Sequence, residues 1–270
     1  MGIFGKEIND PLLRRLLLLL VTLLSALSLF SQEARQYSFT HYTVSNGLAA
    51  YNTSNSVQDD QGYIWIGTVN GLQRFDGSRF LTFRHNPADK NSLPDNSVWQ
   101  MLYDKEKNLW VLLSDGSIGI FDTRRFSFKK ATVVTLYEKN LAASRRLLED
   151  GNGKLILTFT FREFVTYNKV RNEFSSAYNS FSMPPGWRPI DLADDPIGKR
   201  YIISSDSGFA VYNRVTKQLS YPGHNIGREA LVEKYGKLSH TAPYRVDSKG
   251  RLWFKRWPPD GGCSIYCFDL

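Results

Sequence analysis

An aspartate followed six places later by an aromatic or large apolar residue occurs five times at regular intervals in this chain. The pairs are Asp59 with Trp65, Asp104 with Trp110, Asp150 with Ile156, Asp195 with Tyr201 and Asp247 with Trp253. The second members are spaced by 45, 46, 45 and 52 residues. A second marker, an aromatic followed by Asp or Asn, trails each of them: Phe75-Asp76, Phe121-Asp122, Tyr167-Asn168, Tyr212-Asn213 and Phe268-Asp269, at steps of 46, 46, 45 and 56. Two markers keeping one period define a structural repeat. A repeat of about 40–50 residues has the length of a four-stranded propeller blade.

The first unit shows why the repeat is β. Residues 63–69 are aromatic and β-branched, residues 72–75 are a second short run, and Asn70-Gly71 separates them as a hairpin turn. One such unit leaves an apolar face bare, so it must stack on another. The chain therefore reads as all-β, a partial propeller ring of about four complete four-stranded blades and a partial fifth, at 53–84, 98–128, 145–174, 189–219 and 244–270. Residues 37–44 read as an outermost strand that precedes the first blade. An open arc of a larger ring is expected; Phe39 pairing beside residues 266–268 would instead close a five-bladed ring. The longer connection before the fifth unit holds a short helix candidate at 226–238.

Aromatic residues make up 14% of the chain, which suits an all-β fold. The formal charge of +8 is spread out, with short clusters such as Arg124-Arg125 and Lys129-Lys130. That reads as a solvated basic surface rather than a nucleic-acid stripe, and it also suits acidic polysaccharides. Residues 1–31 read as an export signal: Lys6, Arg14 and Arg15 flank an apolar run at 16–30, and Ala26, Ser28 and Ser31 offer cleavage points. The run is short of a bilayer span. Export makes the chain periplasmic. Cys263 and Cys267 cannot pair along one strand, because an extended spacing puts their Cα atoms ~13 Å apart. They read as core or strand residues.

The recurring aspartates invite a metal or catalytic reading, but every hairpin needs its backbone capped, and that explains them. Asp150-Gly-Asn-Gly-Lys154 lacks the downstream glutamate of a calcium loop and reads as a turn. Trp65, Trp110 and Trp253 hold equivalent places and read as packing between blades. His41, His85, His224 and His240 show no metal spacing, and no nucleophile elbow or phosphate loop is present. No catalytic residue, metal or cofactor is expected. Aromatics outside the repeat positions are the ligand candidates. Trp99, Trp187 and Trp257 lie near blade entries or exits, and Arg188 and Arg256 adjoin two of them. Indole faces suit sugar C–H surfaces, and guanidinium groups suit acidic sugars.

The stretches SNGL…QDDQGYIWIGTVNGLQRFDGSRFLTF and NSLPDNSVWQMLYDKEKNLWVLLSDGSIGIFD resemble the two-component regulator propeller repeats. The resemblance covers about 36–270 and is strongest over 38–128. It implies the extracytoplasmic sensor part of a Bacteroidota hybrid two-component system histidine kinase. Such proteins carry two seven-bladed propellers, an immunoglobulin-like connector, a membrane helix and a kinase. They sense oligosaccharides and are expected to dimerise. This chain covers about five blades, so the resemblance implies a truncated form. The readings from other classes are a secreted propeller enzyme acting on polysaccharide and a protein-binding propeller scaffold.

Overall fold

The computed structural model describes residues 11–29, 38–135, 145–258 and 261–270. It divides into two compact units, Met1–His41 and Tyr42–Leu270. In the first, α1 (Pro11–Leu29) is a 19-residue leucine-rich helix. Among the described residues no helix is long and apolar enough to cross a membrane. Lys6 and Ser31 of the export reading lie outside the described residues.

In the second unit each repeat becomes an antiparallel meander. Blade one is β1 (Thr53–Gln58), β2 (Ile64–Thr68), β3 (Gly71–Phe75) and β4 (Phe80–Phe83), and blade two is β5 (Val98–Tyr103), β6 (Leu109–Leu113), β7 (Ile118–Asp122) and β8 (Ser127–Lys130). The chain then leaves blade two's edge as β9 (Thr132–Val134). Blade three is β10 (Arg145–Glu149), β11 (Leu155–Phe159), β12 (Glu163–Asn168) and β13 (Glu173–Ser175), and β9 joins it as a fifth strand, parallel to β13. Blade four is β14 (Pro189–Asp195), β15 (Arg200–Ser205), β16 (Gly208–Asn213) and β17 (Gln218–Ser220). After α2 (Ala230–Tyr235), blade five has three strands, β18 (Thr241–Val246), β19 (Arg251–Arg256) and β20 (Ser264–Asp269). The five sheets are separate and, among the described residues, no strand joins the last to the first, so the second unit is a partial propeller.

The outer strand expected at 37–44 is not one. Residue 37 lies outside the described residues, residues 38–43 carry no regular structure, and Val44–Asn46 is a single 3₁₀ turn. The Asn46 carboxamide accepts from the Thr43 amide at 3.0 Å and from its hydroxyl at 2.8 Å, so the local side chains compete with strand pairing. Tyr42 instead lays its ring edge-on against Phe75 and Phe80, with centroids 4.9 and 5.6 Å away. No strand pairs with β20 on its outer side among the described residues.

The blades are pegged together by their indoles. Trp65, fully buried, meets Phe121 of blade two at 5.6 Å, and Trp110, 1% exposed, meets Tyr167 and Phe174 of blade three at 4.8 and 5.7 Å. Each peg is held by its aspartate: Asp59 Oδ2 accepts from Trp65 Nε1 at 2.8 Å, and Asp104 Oδ2 from Trp110 Nε1 at 2.8 Å. The other carboxylate oxygen caps the turn, Asp59 Oδ1 accepting from the amides of Gln61 and Tyr63. The six-residue spacing is thus geometric. It lets one carboxylate hold both the turn and the indole that follows it.

A second device joins the innermost strands. Four places before the first two aspartates, a side chain reaches the next blade. Asn55 donates to Met101 O and accepts from Met101 N, both at 2.8 Å, and Gln100 does the same to Leu147, again at 2.8 Å. A carboxamide offers one donor and one acceptor, so it substitutes for the missing peptide partner. Gln100→Ala leaves a buried N–H and C=O unpaired, and is expected to cost about 1–3 kcal/mol in urea denaturation.

The insertion before blade five wedges into its seam with blade four. Leu231 and Val232 are buried, and Tyr235 packs edge-on against Phe254, Tyr266 and Phe268. The Gly236 carbonyl accepts from Phe209 N at 2.9 Å. A Cβ on Gly208, whose φ is +123°, would sit 1.7 Å from that carbonyl, so only glycine fits there.

Candidate functional site

The meander alternates direction, so every blade's first strand begins on one face, where its second strand ends and its third begins. The aspartate turns lie on the opposite face. Trp99 is the second residue of β5, Trp187 and Arg188 immediately precede β14, Arg256 ends β19 and Trp257 follows it. All five ligand candidates therefore come to the entry face, spread over blades two, four and five.

Their surroundings differ. Trp99 sits in a register shift between Val98 and Gln100 and is 52% exposed; a bulge there turns the indole outward. Trp187 is half-buried and packs edge-on against Tyr221 at 5.4 Å, and Tyr221 in turn lies against His224 at 5.1 Å. Arg188 is already engaged: its Nε donates to Asp206 Oδ2 at 2.7 Å and its amide to Asp206 Oδ1 at 3.0 Å. Burial works to raise the Asp206 pKa, but the Arg188 amide and guanidinium and the Ser207 hydroxyl outweigh it and hold the carboxyl below its ordinary value. Arg256 has a buried Nε without a hydrogen-bond partner among the described residues, as does the Oγ1 of Thr241, its register partner. Trp257 is 43% exposed, and its amide donates to His240 O. Asp206, Tyr221 and His224 are not among the ligand candidates read from the sequence. Their place on this face depends on the β15–β16 hairpin and the insertion, which no local pattern announces.

The opposite face offers polar grooves at two seams, of about 350 Å³ and 430 Å³. Ion pairs cross both: Lys107 to Asp60 at 2.9 Å and Lys169 to Glu106 at 2.7 Å. The charges there are mutually matched. The recurring aspartates are spent on turns, and no cluster of metal-ligating side chains occurs among the described residues. Asp150 Oδ1 accepts from the amides of Asn152 and Lys154 at 2.8 Å, as a hairpin turn requires.

Blade five differs from the rest. Its Trp253 donates to Asp247 at 3.1 Å like the other pegs, but it is only half-buried and borders an open groove of about 590 Å³ with Arg245, Lys255 and Ile265. Cys263 and Cys267 are free and exposed rather than in the core. Cys267, on β20, pairs in register with Trp253, and among the described residues no further strand covers it.

Residues 92–115 match the two component regulator propeller family. A 68-residue stretch is 37% identical to Histidine kinase P4 of Formosa agariphila, covering 25% of this chain and 5% of that kinase. Among solved structures, the fold is similar to an extracellular domain assigned to a hybrid two component system of B. thetaiotaomicron, with TM-score 0.54 and 20% identity over 80% of this chain and 31% of that one. It is also similar to PorZ, a surface component of the type-IX secretion system of Porphyromonas gingivalis, with TM-score 0.50 and 14% identity over 81% of this chain and 32% of that one. At such identities the likeness establishes the propeller fold. This chain spans a minor part of each relative's length.

Proposed function

We propose that this chain, which carries the two component regulator propeller repeat, is an extracytoplasmic ligand-sensing segment of a hybrid two-component receptor, and that its ligand is an oligosaccharide. The match of residues 92–115 to that family carries the reading, and the kinase and extracellular-domain relatives support it. The positive N-terminal flank and leucine-rich α1 support export to the periplasm. The segment senses and does not catalyse; a kinase elsewhere in the receptor would carry the phosphoryl chemistry.

The ligand sits on the entry face. Trp99 and Trp257 offer indole faces for sugar C–H surfaces, Arg256 a guanidinium beside Trp257, and Trp187 with Arg188 the edge of blade four. The basic net charge, +8, favours acidic sugars. A panel of oligosaccharides screened by calorimetry and product analysis tests this. Binding without turnover is expected, weakened at least about tenfold by Trp257→Ala. Product formation would make the chain an enzyme, and no binding to any saccharide would remove the ligand assignment.

A further inference from the structure

Three observations fall on one seam, between blades three and four. The first concerns the inner-strand rungs. The two preceding seams are bridged by the neutral carboxamides of Asn55 and Gln100, but the corresponding residue in blade three is Arg146. A guanidinium donates and cannot accept. Arg146 gives Nη2 to Leu192 O, and Asp191 Oδ1 must be recruited both to receive Arg146 Nε at 3.0 Å and to accept from Leu192 N at 2.8 Å. An ion pair has replaced a neutral rung.

The second concerns the pegs. Blade three has Ile156 where blades one, two and five have tryptophan, which leaves Asp150 Oδ2 without an indole. Blade four fills the gap with polar groups: Tyr201 Oη donates to Asp150 at 2.6 Å and Arg214 Nη1 at 2.8 Å. The third concerns satisfaction. Arg214 Nη2 stands 2.9 Å from Asp194 Oδ1, yet neither that oxygen nor Arg214 Nε forms a hydrogen bond, and both are buried. Two of the four such atoms among the described residues lie at this seam. Burying charges costs desolvation that an imperfectly bonded pair does not recover, whereas a doubly bonded carboxamide has little to recover.

We infer that the seam between blades three and four is a hinge: the arc opens there, before the two seams that precede it, into a three-blade and a two-blade body. The hinge divides the entry face. Trp99 lies on one body, and Trp187, Arg188, Arg256 and Trp257 lie on the other. A ligand contacting both bodies would hold the hinge shut. The hinge itself stands or falls independently of whether the entry face binds a sugar.

Backbone amides at the seams report opening directly. Met101 N and Leu147 N are held by the neutral rungs and Gly151 N donates across the charged seam to Asp194 Oδ2 at 2.7 Å, while Leu192 N, at the rung position, is held within its own strand by the adjacent Asp191 that Arg146 engages. Hydrogen exchange read at these four amides in the unliganded chain, corrected for intrinsic rates, is expected to be roughly tenfold faster at Gly151 and Leu192 than at Met101 and Leu147. Converting the charged rung to neutral groups, Arg146→Gln with Asp191→Asn, is expected to slow Leu192 toward the rate of Leu147. Equal protection at all four amides overturns the hinge, as does a variant that exchanges faster. Should the double variant fail to fold, the wild-type comparison alone decides.

Discussion

Truncating Trp110 to alanine is expected to lower the free energy of unfolding by about 3–5 kcal/mol, while the same truncation of Trp253 costs no more than about 1.5 kcal/mol. The two residues occupy the same place in their blades and make the same bond to their aspartates. The difference lies in what covers them. Trp110 is 1% exposed and wedged between the rings of Tyr167 and Phe174, so its removal opens a cavity that two sheets cannot collapse into. It also takes one of two donors from the buried Asp104 Oδ2, which keeps only Asn108 Nδ2 at 3.0 Å. Trp253 already borders an open groove, and water replaces what is lost. Urea denaturation of the two variants checks this. Equal costs would mean that the indoles stabilise their own sheets and that stacking of blades contributes little. Trp110→Phe, which keeps ring contact and loses the N–H, is expected to fall between the two extremes.

That gradient bears on how the fold was legible. The spacing from Asp104 to Trp110 is visible in the sequence because one carboxylate must span a turn and reach an indole, and only one separation does so. The blade's four short strands follow from turn residues on either side of apolar runs. What the sequence hid depends on distant partners. Alternating aromatics at 37–44 imitate a strand, yet Tyr42 finds Phe75 and Phe80 and the backbone turns at Val44–Asn46. The strap β9 continues blade two in sequence but pairs with β13 some forty residues away, a parallel match with no local signature. The entry face was legible only as aromatics that the repeat did not explain. That Asp206 would occupy Arg188, or that Arg256 would keep a buried N–H unengaged, depends on side chains from other strands.

The substitution of Ile156 for a tryptophan leads to the second large effect, at Asp150. Asp150→Asn is expected to destabilise the chain by about 3–5 kcal/mol, although the new side chain is nearly the same size. The Asp150 carboxylate is 1% exposed and accepts four bonds, from two backbone amides, the Tyr201 hydroxyl and Arg214. An asparagine can still cap the turn with its oxygen, but its amide then faces two further donors, and Arg214 keeps Asp194 as its one remaining carboxylate. A charged seam of small net value is thus costly to break on one side only, because the partner is left buried and uncompensated. The pH dependence separates this from a packing defect. Burial works to raise the Asp150 pKa, but the Tyr201 hydroxyl, the amides of Lys154 and Asn152 and the Arg214 charge prevail and hold it below the ordinary carboxylate value. A carboxyl whose folded pKa is depressed contributes its stability above the unfolded value, near 3.9, and loses it as pH falls through the folded value. The gap between wild type and Asp150→Asn, measured by denaturation from neutral to acid pH, is therefore expected to stay constant down to about pH 5 and then to narrow. A gap that persists unchanged into strong acid would assign the loss to geometry and leave Arg214 without its electrostatic role.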